Sequence, residues 1–359
     1  MSKPIVVTLD AGGTNFVFAA ICDGQPIGKS LTLPSSAHDL DKCLQTLVNG
    51  FDEVIESLPE PPVAISFAFP GPADYRNGVI GGYLPNFPSF RDGVALGPML
   101  KQRFNIPVFI NNDADLFAYG EAMGGALPRI NKRLEEAGSA KRYRNLLGYT
   151  FGTGFGFGFV MDGKLNLGDN SCVETFCLKH RDYPQYIVED GVAIRAVKRV
   201  YRELSKDERE LEPRDIFNIA ESAMEGDAEA AKEAFATFGR VAGDAMATAV
   251  TLMDGLIVIG GGLSAAAKYF MPALLEEMRS KIGTMSGDEL NRVQMSVYNL
   301  DDEAEFKKFA TGCSRKIKVY GSDEEVVYDP EKRIGVTISD IGASNAVALG
   351  AYLYAIDNI

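Results

Sequence analysis

The chain has 359 residues, 46% of them hydrophobic and 24% charged, with a formal net charge of −13. At about 150 residues per domain, that length implies two domains with sizeable cores, and the acidic balance argues against a general nucleic-acid or membrane-surface role. No apolar run approaches the ~20 residues that span a bilayer, and no basic segment followed by an apolar one opens the chain, so a cytoplasmic protein is expected.

Residues 5 to 20 place two short apolar runs around a turn of Gly12, Gly13, Thr14 and Asn15, which reads as a β-hairpin. Asp10 ends the first run. Bare glycine amides beside a carboxylate suit the phosphates and metal water shell of a magnesium nucleotide, although D-x-G-G-T also serves as a plain turn. A third strand follows, and residues 39 to 58 carry apolar side chains at helical spacing until Pro59 to Pro62 stop them. Val63 to Phe69 is a buried strand ending in a Pro-Gly-Pro turn. The order strand, strand, strand, helix, strand predicts a mixed sheet covered by helices.

Asn86 stands between Pro85 and Phe87-Pro88 in a stiff loop. Its amide offers donor and acceptor to a sugar hydroxyl, or it is a turn former. Val108 to Ile110 runs directly into Asn111-Asn112-Asp113-Ala114-Asp115, and a helix is predicted over 116–123. Strand ends feeding a helix start are ligand sites in α/β sheets. There Asp113 either caps the helix or accepts a hydroxyl proton during phosphoryl transfer. The basic stretch 126–145 reads as a solvated helical excursion.

Residues 146 to 160 repeat the first device, with Gly152-Thr153-Gly154 between two apolar runs and Phe alternating with Gly from Phe155 to Phe159. On a strand that alternation leaves one face bare, either a packing accommodation or room for a ligand. Two Gly-Thr hairpins about one domain length apart argue for a duplicated fold with both turns facing one cleft. Glu174 and Glu189 sit at loop junctions, as surface charges or as acceptors for sugar hydroxyls. Cys172, Cys177 and His180 lie close in sequence but lack a fourth zinc ligand. The five cysteines, odd in number and scattered, fit reduced thiols. A long Ala-rich helix is predicted over 228–253, then the strand 256–259, then Gly260-Gly261-Gly262 with Ser264 capping a helix and Pro272 near the start of a further helical stretch. Residues 291 to 336 read as a surface elaboration, and a final helix from Gly342 carries small residues.

The set Asp10-Ala-Gly-Gly-Thr14, Pro85-Asn86, Asn112-Asp113, Gly152-Thr-Gly154, Gly260-Gly-Gly262 and the closing Gly-Ala-Tyr helix resembles the ROK sugar kinases, over nearly the whole chain and in order. That resemblance implies an α/β fold of two actin-like (ribonuclease H-like) domains, each a mixed five-stranded sheet flanked by helices, with a cleft between them. The N-terminal domain would comprise 1–118 plus 341–359, and the C-terminal domain 119–340. It implies transfer of the γ-phosphate of ATP to a hexose or N-acetylhexosamine, as in glucokinases and N-acetylglucosamine or N-acetylmannosamine kinases. Asp113 matches the catalytic base, and Asn86, Asn112, Glu174 and Glu189 match sugar-contacting positions. Asp10, Gly12, Gly13, Thr14 and Asn15 match the first phosphate turn, Gly152, Thr153 and Gly154 the second, and Gly260, Gly261 and Gly262 the adenosine segment. Mg2+ would be held by Asp10 through water. The family's C-x-C-G-x-x-G-C zinc cluster is missing, and Cys177 stands where a zinc- or sugar-contacting His would fall, so no structural zinc is expected. The resemblance also implies a homodimer. Its alternative is a sugar-sensing regulator, for which only four residues precede Ile5 to supply a DNA-binding segment. No nucleic acid or membrane partner is expected.

Overall fold

The structure, a computed structural model, describes residues 3–359. The chain forms two compact units: residues 1–124, 164–173 and 344–359 in the first, 125–163 and 174–343 in the second.

The first unit is built on a five-stranded sheet of order β3-β2-β1-β4-β7. Its strands are β1 (Ile5–Ala11), β2 (Asn15–Cys22), β3 (Gln25–Pro34), β4 (Ala64–Ala68) and β7 (Val108–Asn111). β1, β2 and β3 form antiparallel pairs, whereas β4 and β7 run parallel to β1. Between β4 and β7 come a short ribbon of β5 (Ala73–Asp74) and β6 (Val79–Ile80) and the helix α2 (Leu96–Phe104). Strand β1 is buried on both faces, so its side chains divide. Ile5, Val7 and Leu9 join the core beneath helix α1 (Leu40–Glu56), while Val6 packs with Tyr352 and Ala355. Asp39 caps α1 by accepting the Lys42 N–H at 3.2 Å. The helix buries Cys43, Leu47, Gly50, Phe51 and Val54, one stripe at the 3.6-residue period. Gly50 is required there, because a Cβ would lie 2.3 Å from the Phe18 ring.

The opposite face carries α3 (Asp113–Met123) and the closing helix α10 (Ala343–Asn358). These two approach at backbone contact. A Cβ on Gly120 would stand 2.0 Å from the Ala346 carbonyl oxygen, and one on Gly350 1.9 Å from that of Leu116. The small-residue face expected of the last helix is thus where it meets α3. The predicted start of α3 is corrected: the helix begins at Asp113, three residues before Leu116, because Asn112 caps it. Residue 118, the expected domain limit, lies inside this helix. Strand β10 (Lys164–Leu165) opens the segment 164–173, which Arg76 ties down by donating to the Gly168 carbonyl at 2.7 Å.

The second unit repeats the pairing pattern of the first. Strand β8 (Leu146–Phe151) pairs antiparallel with β9 (Phe155–Met161), and β11 (Leu256–Gly260), β17 (Arg333–Ile338) and β14 (Ser296–Asn299) run parallel to β8 in the order β9-β8-β11-β17-β14. Its helices are α4 (Ala126–Glu136), α5 (Ile194–Ser205), α6 (Pro213–Ala220), α7 (Ala228–Met253), α8 (Ala267–Met278) and α9 (Glu303–Thr311). α7 has the predicted bounds. Its Gly239 and Gly243 face the α8 backbone, where a Cβ would lie 2.2 Å from the Phe270 oxygen and 2.5 Å from that of Leu274.

Two expectations for this unit are corrected. Ser264 does not cap a helix: residues 262–266 form a 3-10 turn in which the Ser264 hydroxyl donates to the Gly261 carbonyl at 2.7 Å, and Pro272 lies inside α8. Nor is 291–336 wholly a surface elaboration, since β14 and β17 complete the sheet, with Val297, Ile334 and Val336 buried. Only the hairpins β12 (Lys281–Gly283) with β13 (Glu289–Asn291), and β15 (Arg315–Lys318) with β16 (Glu325–Tyr328), form separate two-stranded sheets. No helix among the described residues is long and apolar enough to cross a membrane.

Candidate functional site

The first Gly-Thr turn follows β1, with Asp10 exposed at the strand end. A Cβ on Gly12 would stand 2.8 Å from the Asn15 carbonyl oxygen, so the tightness of the bend requires glycine. A Cβ on Gly13 would stand 3.1 Å from that of Asn86, which places Asn86 against the turn. The Asn86 loop is fixed by Phe87, fully buried, stacked on Phe16 at 6.0 Å and packed on Phe69 at 4.8 Å. A residue that sequence reasoning missed completes the turn. Buried Ser35 donates its N–H to the Thr14 carbonyl (2.9 Å) and its hydroxyl to that of Gly13 (2.5 Å). In the sequence it is one of two serines in a polar loop, with nothing to set it apart.

Asn112 and Asp113 come from the junction of β7 and α3. Asn112 has extended backbone angles, and its Oδ1 accepts the Ala114 N–H at 2.8 Å. The cap is therefore Asn112, and Asp113 is the first residue of the helix. Asp113 Oδ1 shares the Ala114 N–H at 2.9 Å. Asp113 is solvent-exposed as a residue, with protein atoms packed around its carboxyl. Loss of hydration is the strongest influence and raises its proton affinity above the ordinary carboxylate range. The Ala114 N–H opposes this, and the negative charge of Asp10 adds to it. A carboxyl poised in this way at a helix start has the character of a general base. Beside it, the amide nitrogen of Asn111 is buried without a hydrogen-bond partner, another feature that the sequence did not single out.

The second Gly-Thr turn joins β8 to β9. Gly152 donates its N–H to the Gly154 carbonyl (3.1 Å) and accepts the Ile194 N–H (2.9 Å). Glu189 braces the far side: its Oε2 accepts the Phe155 N–H at 3.0 Å, and its Oε1 is bound by Arg195 at 2.9 Å. Arg195 also reaches Asp190 (2.9 Å) and the Thr153 carbonyl (3.4 Å). The triple glycine arrives beside this turn because β11 pairs parallel with β8, Gly260 opposite Thr150. Gly261 has φ +90°, and a Cβ there would meet the Phe151 carbonyl oxygen at 2.3 Å. Gly152 and Gly262, in contrast, have nothing within 4 Å of where a Cβ would stand. Glycines with open space beside them at the end of a parallel strand pair fit a nucleotide's phosphates or adenosine. Of the expected positions, Asp10 to Asn15, Asn86, Asn112 and Asp113 thus lie in the first unit, and Gly152 to Gly154, Glu189 and Gly260 to Gly262 are grouped in the second. Glu174, half-buried, precedes Thr175, whose buried hydroxyl has no hydrogen-bond partner.

The side chains around Cys177 do not fit a zinc ion. Cys172 donates its thiol to the Asn170 carbonyl at 3.1 Å, and Cys177 is exposed. His180 is buried, with Nδ1 accepting the N–H groups of Asp182 (3.1 Å) and Tyr183 (3.3 Å), and burial lowers its proton affinity. No group of three or more His, Cys, Asp or Glu able to hold a metal occurs among the described residues. A magnesium ion carried by nucleotide phosphates needs only one or two protein carboxylates, and Asp10, exposed at the end of β1, is the carboxylate expected to serve it.

Comparison with known proteins shows the family of the chain. A profile of the ROK family matches residues 6–175 and 185–303, and the intervening stretch is the loop of Cys177 and His180. A glucokinase from Parabacteroides distasonis is 56% identical over 100% of this chain and 99% of its own, with a TM-score of 0.94. A glucokinase from Thermotoga maritima is 26% identical over 332 residues, 79% of this chain and 92% of its own. The DNA-binding transcriptional repressor Mlc of Escherichia coli is 24% identical over 232 residues, 61% of this chain and 53% of its own. The duplicated mixed sheets are those of the actin-like two-domain fold that ROK sugar kinases share, and the chain belongs to the ROK family.

Proposed function

We propose that this protein is an ATP-dependent sugar kinase acting on a hexose or N-acetylhexosamine, with glucose the first candidate. The observation that carries the reading is the carboxyl of Asp113, held at the start of α3 with raised proton affinity and with Asp10 near enough to add to it. The likeness to the Parabacteroides glucokinase supports glucose.

In this mechanism Asp113 accepts the proton of a sugar hydroxyl as that oxygen attacks the γ-phosphorus of ATP and the bond to the ADP oxygen breaks. Asn86, Asn112 and Glu174 orient the sugar through its other hydroxyls. The amides of Gly12, Gly13, Thr14 and Asn15, and those of Thr153 and Gly154, bind phosphate oxygens, Gly152 leaves them room by lacking a side chain, and Gly260 to Gly262 take the adenosine. The resemblance gives Glu189 a sugar contact, but its bonds to Phe155 and Arg195 favour support of the second turn. Asp10 would hold a magnesium ion through water, and that ion would supply charge neutralisation at the phosphates.

A coupled ADP-release assay across hexoses and N-acetylhexosamines tests the reading. ADP release that depends on one of these sugars is expected, and equal release with and without every sugar overturns it. The likeness to Mlc favours a second reading, a sugar-responsive regulator. It requires sugar binding by calorimetry with no sugar-dependent ADP release.

A further inference from the structure

Ser35, Ser36 and Ala37 follow β3 and lead to Asp39, the cap of α1. The segment is short, yet it reaches both loops that the proposed reaction uses in the first unit. Ser35, fully buried, donates its hydroxyl to the Gly13 carbonyl at 2.5 Å and its N–H to the Thr14 carbonyl at 2.9 Å. Two residues on, the carbonyl of buried Ala37 accepts the Ser89 hydroxyl at 2.7 Å. Ser89 lies in the 3-10 turn Pro88–Phe90, which directly follows Asn86 and Phe87. Between these two contacts Ser36 takes φ +51° and accepts the Asp39 N–H at 2.9 Å, which ties the segment to the start of α1.

Each serine sets the direction of something other than itself. A trans peptide is planar, with its carbonyl and the following N–H on opposite sides. By holding the Gly13 carbonyl, the Ser35 hydroxyl therefore turns the Thr14 N–H away from Ser35, at an exposed position of the turn. That N–H is one of the amides assigned above to phosphate oxygens. Ser89 acts on the sugar side. Its bond to Ala37 holds the 3-10 turn, whose flanking rings Phe87 and Phe90 are fully buried, and with it the loop that sets Asn86 against Gly13. The phosphate turn and the Asn86 loop thus bear on one piece of chain. That piece is fixed in turn by α1, which buries Cys43, Leu47 and Phe51 in the core.

We infer that Ser35 and Ser89 are positioning residues, which act through the segment 35–37 to hold the phosphate turn and the Asn86 loop at the separation that in-line phosphoryl transfer needs. The inference rests on the kinase reading. Ser35 acts through Gly13 and Thr14, and Ser89 through the loop of Asn86. Phosphoryl transfer draws most of its acceleration from positioning and charge, and a misplacement of about 1 Å can cost about 100-fold in rate. Two hydroxyls remote from the reacting atoms can therefore matter to turnover.

Sugar-dependent ADP release by the full chain tests this, with Ser35→Ala, Ser89→Ala and the double variant. Each single variant should lower kcat about tenfold or more. Ser35→Ala should raise the KM for ATP more than that for sugar, and Ser89→Ala the reverse, a split that a general loss of stability does not produce. The double variant should stay within about threefold of the slower single one, because both changes release the same segment. Ser89→Thr, which keeps the hydroxyl, should return kcat and sugar KM toward wild type. If thermal melts show that Ser35→Ala does not fold, Ser89→Ala and Ser89→Thr carry the test by loss and recovery of kcat and sugar KM. A wild type without sugar-dependent ADP release overturns the kinase reading and this inference with it. A sugar-dependent wild type overturns the inference alone if the single variants keep wild-type kinetics or if their kcat losses multiply.

Discussion

Glu189 Oε2 accepts the Phe155 N–H at 3.0 Å and lies the same 3.0 Å from where a Cβ on Gly154 would stand. One carboxylate therefore sets both the shape of the second Gly-Thr turn and the need for glycine in it. Its other oxygen is tied to Arg195, which also holds the Thr153 carbonyl, so turn and helix α5 are linked through one ion pair. Glu189→Ala removes the brace. ATP KM should rise roughly tenfold, as for a lost charged hydrogen bond, with sugar KM little changed. A rise confined to sugar KM would return Glu189 to direct sugar contact.

For the proposed base, Asp113→Ala should lower kcat by roughly 100- to 10,000-fold and leave ATP affinity, measured by calorimetry, nearly unaltered. Turnover close to wild type would remove Asp113 from the role.

The direction of the Asp113 shift also sets a pH dependence. The base is active when ionised and its pKa is raised, so kcat/KM should climb with pH through a midpoint above the ordinary carboxylate range. Asp10 contributes to the rise, so Asp10→Asn should move that midpoint down. A midpoint that stays put in this variant would show that the two carboxylates do not sense each other.

The same shift has a sign for folding. A carboxyl that binds its proton more tightly in the folded state contributes stability at low pH and loses it as pH rises through the folded pKa. Asp113→Asn, which cannot ionise, should therefore melt higher than wild type near neutral pH, and the difference should shrink on acidification. Thermal melts at several pH values provide the check.

Gly350→Ala tests the seat of α3. With the Leu116 oxygen 1.9 Å from the new Cβ, the helices must part, at about 2 kcal/mol or more. Chemical denaturation should show this loss. Because Asp113 begins α3, kcat should fall as well, whereas Gly283→Ala, at a position with open space around it, should leave kcat unchanged.

Much of this fold could be read along the chain because it is written in local periodicity. α1 and α7 follow from apolar spacing and caps, and the paired Gly-Thr hairpins from runs of β-branched and aromatic residues around turn formers. The start of α3 is ambiguous in the sequence because Asn112, Asp113 and Asp115 are all plausible caps, and only the extended backbone of Asn112 beside helical Asp113 chooses among them. β14 and β17 read as surface in the sequence because each is short and flanked by charge, while their burial comes from neighbours distant in sequence.

The residue types at the site, the two glycine turns, and the carboxylate that follows the strand 108–111 belong to the linear chain, since each is a local pattern of spacing and side-chain chemistry. Ser35 beneath the first turn, Asn111 with its unpartnered amide, and Glu189 as a brace rather than a loop charge emerge only from the folded molecule. Hydrogen bonds and burial are relations between atoms that the fold brings together, and a sequence records neighbours along one dimension only.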